Sequence, residues 1–370
     1  MSLNNLAPEL VHHIYNSLST ISDVINLSIT CRRLNCLLRH SQKLPTLFAA
    51  AEREFGPIED IAQLVTFNTS QAVHIRREPQ PSYALLRQMI KIGSVAKKFE
   101  EIYPSKRWQT DFLNRRSLTA HEGYFLRRAV YRYWLFCEAF QNRSCVRSQR
   151  LLPHVVEERA QLLRTWTTDE LIELEDLRLI LEEFISTDLC PTNGASQSYF
   201  NDSCDFYEVR YTQHQHRQTI PSNSWPPDRY SASILTSSLF NNHREDRLAL
   251  ERQQRNQDLP VPQRRKLEMA GWGDDIAQYY VVQSMMKLNP AQIMHLYEHA
   301  SNQQQVEVYI GGLGEEWFWN NGQTFLDTWT LVLAKRGLDP RVIRDGILDG
   351  QFGIAASGKV VGEVVDEDCW

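Results

Sequence analysis

A chain of 370 residues, 42% of them hydrophobic, can bury a sizeable core, and its length suggests roughly two domains at about 100–200 residues each. The formal net charge of -5 is spread over interleaved acids and bases, so no global field draws the chain to nucleic acid or to an acidic lipid surface. Arginine pairs at Arg32-Arg33, Arg76-Arg77, Arg115-Arg116, Arg127-Arg128 and Arg264-Arg265 are scattered, without the dense basic run that reads as a nucleic-acid patch.

The first residues, MSLNNLAPELVHHIYNSL, contain no basic stretch followed by an uninterrupted apolar one, which argues against a secretory signal. No segment approaches the roughly 18 consecutive apolar residues that span a bilayer. The expectation is an intracellular protein, cytoplasmic or nuclear. Its seven widely spaced cysteines are then expected as small hydrophobes and not as a disulfide framework.

Helical spacing dominates from the start, and the fold class it predicts is mainly α. Leu6, Leu10, Ile14 and Leu18 recur every fourth residue, and Val24, Leu27, Cys31, Leu34 and Leu38 follow in steps of three and four, with Ser22 or Asp23 as a cap. A third segment, Leu44 to Phe55, stops at Gly56-Pro57. Residues 60–100 read as further short helices broken at Pro79-Gln80-Pro81. Residues 122–140 are apolar nearly all round, as in a helix buried within a bundle. Arg127, Arg128 and Arg132 interrupt that run and need partners or a path to solvent. Thr167 and Glu170 form a capping-box pattern ahead of Leu171, Leu174, Leu177, Leu181 and Phe184.

Composition shifts over residues 187–265, which are rich in Asn, Gln, Ser, Pro and His. Most of this stretch is expected to be loop, with one polar helix near 243–257. Helical pattern returns at 274–287. Asn289-Pro290 and Asp339-Pro340 look like helix starts, and Phe325, Trp329 and Leu333 mark another helix. Gln305 to Ile310, with Val306, Val308 and Ile310 alternating, is the best strand candidate. No repeat of 20–50 residues is present.

The order Leu6-Ala7-Pro8-Glu9-Leu10, then Ile14, Leu18, Asp23, Leu27 and Cys31-Arg32-Arg33, resembles the F-box. Ala7 replaces the usual first proline, Tyr15 the usual phenylalanine, and Leu34 a frequent tryptophan. The resemblance implies a three-helix unit over 1–55 that docks the Skp adaptor of a cullin ubiquitin ligase, and a helical target-recruiting or scaffold domain over 56–370. It implies a non-catalytic subunit whose partners are the Skp adaptor, through it a cullin, and an unknown protein target. Carried over position by position, the adaptor contacts are Leu6, Pro8, Leu10, Ile14, Val24 and Leu27. For each, the competing expectation is a place in the unit's own core. A unit of about 45 residues buries its own apolar surface poorly, so its helices need a further surface. Later runs, Leu64 to Asn68, His74 to Arg77 and Leu126 to Arg132, are similar to the uncharacterised helical regions that follow F-boxes in many filamentous fungal proteins. The rival readings are a scaffold that binds the Skp adaptor without a cullin, and an enzyme with an F-box-like start.

No catalytic constellation, cofactor motif or metal motif emerges. Cys190, Cys204, His214 and His216 lack the close paired spacing of zinc ligands. His12-His13 read as solvated helix positions. Asp274-Asp275 read as a helix start that favours negative charge, and Glu315-Glu316 lie in no recognisable catalytic pattern. Gly311, Gly312 and Gly314 precede no Gly-Lys-Ser/Thr, so they make no phosphate loop. Trp317 and Trp319, flanking Phe318, are candidate target anchors because consecutive aromatics cannot all face one way. The competing expectation places all three in the C-terminal core.

Overall fold

The structure is a computed structural model that describes residues 6–39, 43–111, 113, 115–145, 147–196, 260–268, 270–320 and 322–356. The fold is mainly α, with no strand among the described residues. Four helices occupy the first 55 positions: α1 (Pro8–Ser17), α2 (Ile21–Ile29), α3 (Arg32–Arg39) and α4 (Lys43–Phe55). The run from Val24 to Leu38 therefore divides at Thr30-Cys31. The cap of α2 is Thr20 and not Ser22 or Asp23; its hydroxyl oxygen accepts from the Asp23 amide at 3.0 Å.

Next come α5 (Ile58–Thr66), α6 (Tyr83–Arg107), α7 (Ala120–Phe140), α8 (Pro153–Arg164) and α9 (Thr168–Phe184). The short helices expected over 60–100 are instead α5 and one 25-residue helix, α6, because the break falls before Ser82, whose hydroxyl caps the Leu85 amide at 3.1 Å. The capping box at Thr167 and Glu170 forms, with Glu170 N donating to Thr167 Oγ1 at 3.3 Å and Thr167 N donating to the Glu170 carboxylate at 2.9 Å. Thr119 and Glu122 build a second one at the start of α7.

The later helices are α10 (Val261–Glu268), α11 (Asp275–Met285), α12 (Pro290–His299), α13 (Gln303–Asn320), α14 (Phe325–Lys335) and α15 (Pro340–Leu348). The starts read at Asn289-Pro290 and Asp339-Pro340 are both present, the Asn289 and Asp339 side chains accepting from Gln292 N and Arg341 N at 2.9 Å. The strand expected over Gln305–Ile310 is a helical segment of α13. Val306 and Ile310 are four apart and buried on one helix face, while Val308 is 70% exposed on the other, so the alternation has a helical origin. Gly314 takes φ 110° and ψ 97° and kinks α13.

The chain divides into two compact units. The first comprises Met1–Ile185, Gln283–Met294 and Leu313–Trp370; the second comprises Ser186–Val282 and His295–Gly312. Residue 55 is not a boundary between them. In the first unit α4 and α5 pack on α6, α7 on α6 and α9, α14 on α8, and α15 on α9. Close approach of α4 to α6 depends on Gly93, since a Cβ there would lie 2.5 Å from ring carbons of Phe55. The all-round apolar reading of α7 holds: Leu126, Ala129, Val130, Tyr133, Leu135 and Phe136 are buried. The Tyr131 hydroxyl donates to Phe55 O at 2.7 Å.

The arginines of α7 find the partners their burial requires. Arg127 Nε donates to Gly56 O at 2.9 Å, and its guanidinium pairs with Glu100. Arg128 forks onto the Glu173 carboxylate at 2.6–3.1 Å. Arg132 joins Asp60.

In the second unit the edges of the stretch expected to be loop are well tied. Asn193 N donates to Gly273 O at 2.9 Å, and Trp272 N to Pro191 O at 2.8 Å. Arg265 is buried and donates to the carbonyls of Ala300, Leu296 and Tyr297 at 2.5–2.9 Å. Residues 197–259, with the polar helix expected near 243–257, lie outside the described residues.

Candidate docking surface

Three short helices and the start of a fourth position the predicted adaptor contacts. In α1 the apolar spacing resolves into two faces. Val11 and Tyr15, four apart, turn inward with 1% and 0% exposure, while Pro8 and Leu10 are exposed and Ile14 is half-buried. Tyr15, standing where a phenylalanine is usual, keeps its hydroxyl satisfied by donating to Leu34 O at 3.2 Å. Leu6 is half-buried and its carbonyl accepts from the Arg33 guanidinium, which ties the lead-in of α1 to α3.

In α2 the buried row is Ile21, Val24 and Ser28. Val24 has 0% exposure inside the chain's own packing, the place in the unit's core that was its competing expectation: the turn of α2 that carries it packs with α3 and α4. Leu27 is half-buried. The apolar residues that α2 does present to solvent are Ile25 and Ile29, 45% and 70% exposed and one helical turn apart. Neither belongs to the residues predicted from the family pattern. The signal available was the spacing itself: a nine-residue helix with apolar rows at both 21/24 and 25/29 cannot bury both against neighbours on one side.

The connection between α1 and α2 is held from α4. The Glu54 carboxylate accepts from Ile21 N at 2.8 Å, and Arg53 Nε donates to Leu18 O at 2.9 Å. The outer side chains Leu10, Ile25 and Ile29 are thus carried on helices fixed by core packing and by these polar ties. Such a surface can exchange water for an apolar partner without rearranging its backbone.

The remaining sequence-predicted features fall as follows. The side chains of Trp317 and Trp319, with those of Glu315 and Glu316, lie outside the described residues; Phe318 between the tryptophans is fully buried. Cys190 is buried, and burial pushes its thiol well up from the ordinary range. Cys204, His214 and His216 lie outside the described residues. His12 is half-buried and His13 exposed. Asp274 caps α11 by accepting from Ala277 N at 2.8 Å, as its position suggested. A crevice under the turn that follows α5 is lined by Gln63, Thr66, Phe67, Gln71 and Arg77, and its one charged group, Arg77, is engaged by Thr66 O at 2.9 Å and by Gln71. Among the described residues no group of three or more His, Cys, Asp or Glu side chains is arranged to hold a metal, and no helix is long and apolar enough to cross a membrane.

No protein-family model, no curated protein and no solved structure matches the chain.

Proposed function

We propose that the chain is a recruiting subunit of a Skp–cullin–F-box ubiquitin ligase, docking the Skp adaptor through α1 and α2 and holding a protein target on its helical body. The observation that carries this reading is the solvent-facing apolar set Leu10, Ile25 and Ile29, set within an N-terminal sequence whose order resembles the F-box. Pro8, Ile14 and Leu27 flank that set. The subunit's part in ubiquitin transfer is proximity: it brings a target lysine close to a charged enzyme and performs no bond chemistry itself.

The test is capture of recombinant Skp adaptor by the full chain, compared with a Leu10→Asp/Ile29→Asp variant. Both residues are more than half exposed, so the variant keeps its helical circular dichroism and melting temperature. A carboxylate buried in an apolar contact costs several kcal/mol, on the order of a hundredfold or more in affinity. Undiminished capture by the variant rejects the docking assignment. Recovery of a cullin together with the adaptor supports the ligase reading; recovery of the adaptor alone supports a scaffold that works without a cullin.

A further inference from the structure

The second unit carries a pair of histidines that the docking surface does not use. His295 and His299 lie one turn apart on α12, both exposed. Their rings are nearly parallel, with centroids 4.4 Å apart and planes at 21°. The ring of Tyr309 from α13 lies beside His295, centroids 5.1 Å apart. His299 Nδ1 sits 3.0 Å from the carbonyl oxygen of His295. A carbonyl only accepts, so the contact assigns the proton to Nδ1 and leaves the lone pair of Nε2 directed outward. A backbone carbonyl that fixes an imidazole in this way is the common outer contact of metal-binding histidines, because it sets both tautomer and ring orientation.

We propose that His295 and His299 form a two-point chelate for a divalent transition-metal ion of the imidazole-preferring class, Cu2+, Ni2+ or Zn2+. Bonds of about 2.0–2.1 Å to each imidazole place the two ligand nitrogens about 3 Å apart. The 4.4 Å ring separation closes to that distance by side-chain rotation of exposed His295, with the His299 tether kept. Water completes the coordination shell, so selectivity follows intrinsic preference: Cu2+ binds most strongly, Ni2+ and Zn2+ less, and the oxygen-seeking ions Mg2+ and Ca2+ are not retained. Protons compete for the same lone pairs, and binding weakens as pH falls.

The experiment uses the full chain stripped with chelator. Titration calorimetry with Cu2+ and Zn2+ gives affinity, and electron paramagnetic resonance of the Cu2+ form counts coordinating nitrogens. The histidines at 214 and 216 make a second spacing able to bind copper, so the variants are His295→Gln, His299→Gln and the double His214→Gln/His216→Gln. The expected result is a two-nitrogen copper signal that each single variant weakens by roughly tenfold or more, the loss of the chelate advantage. The double variant leaves that signal unchanged. Both imidazoles are exposed, so circular dichroism stays the same in every variant. A copper site that survives His299→Gln, one that disappears with the 214/216 pair, or binding displaced equally by Mg2+ overturns the proposal.

Discussion

Arg132 offers a sharp test of the packing within the first unit. It sits in the middle of α7 at 5% exposure, with Nε donating to Asp60 Oδ1 at 2.9 Å and Nη1 2.8 Å from Glu170 Oε2. Its guanidinium lies 5.4 Å from the centre of the Trp166 ring. Asp60 is itself 4% exposed and has one further cation, Arg76, at 3.5 Å. Arg132→Met keeps the apolar stem but leaves Asp60 buried against a weaker partner, and leaves Glu170 with Arg128 and the Thr167 amide alone. Removing one side of a buried pair costs about 3–5 kcal/mol, most of it the penalty of the orphaned charge. At about 2–4 °C per kcal/mol for a unit of this size, the midpoint falls by roughly 6–20 °C. Arg132→Lys recovers only part, since an ammonium reaches one carboxylate at a time where the guanidinium fork reaches both. Adding Asp60→Asn to Arg132→Met removes the orphan and restores about half the loss. Calorimetric melting and urea denaturation followed at 222 nm measure all four proteins. A Met variant that melts within about 2 °C of the parent refutes the reasoning, as does a second substitution whose cost simply adds.

Two further outcomes follow from buried cations. Arg265→Met removes the guanidinium bonded to the carbonyls of Leu296, Tyr297 and Ala300 at the end of α12 and should destabilise the second unit by about 2–4 kcal/mol, with Arg265→Lys intermediate; faster amide exchange confined to the last turn of α12 is the readout, and unchanged exchange contradicts it. Lys287 is 2% exposed, its ammonium over the Phe318 ring and donating to Phe318 O, and burial together with nearby Arg150 lowers its pKa to about 7. Between about pH 7 and the ordinary lysine range the unfolded chain holds a proton that the folded chain has released, so this residue makes stability rise with pH across that window, by at most several kcal/mol. Lys287→Met should remove that rise, and identical urea midpoints for parent and variant at pH 7 and pH 9.5 would reject the assignment.

Local chemistry made much of the fold legible. The caps at Thr167, Asp274, Asn289 and Asp339 are short-range devices, each a side chain reaching an amide two or three residues on, and each forms. The all-round apolar character of α7 announced its burial, and its three arginines announced a need for partners without naming them, because Glu100, Glu173 and Asp60 arrive from distant helices. The segment Gln305–Ile310 misled because residues 306, 308 and 310 satisfy period two, while 306 and 310 alone satisfy the helical period. Only packing decides between the two, and it buries 306 and 310 while leaving 308 outside. Exposure of the candidate contacts was only partly legible: Pro8 and Leu10 are exposed and Val24 is buried, while the solvent-facing apolar residues of α2 are Ile25 and Ile29, because the orientation of α2 about its axis is set by α3 and α4.

That orientation bears on what docking requires of the rest of the chain. α4 is shared property: its Glu54 and Arg53 hold the lead into α2, while its Phe55 fills the space left by Gly93 of α6. The Phe55 and Gly56 carbonyls accept from Tyr131 and Arg127 of α7. Cutting the chain after residue 55 would uncover Phe55 and leave the Tyr131 hydroxyl as an unanswered buried donor, a cost of about 1–3 kcal/mol. The N-terminal helices are therefore not a bead on a string, and adaptor binding is best measured on the full chain. The same continuity gives the proposed role a mechanical basis. A partner seated on α1 and α2 is joined through α4 to α6 and α7 by packed side chains and backbone hydrogen bonds, without an intervening linker. A target held on those helices would be presented to the ligase in one orientation, and proximity is worth most when the orientation is fixed.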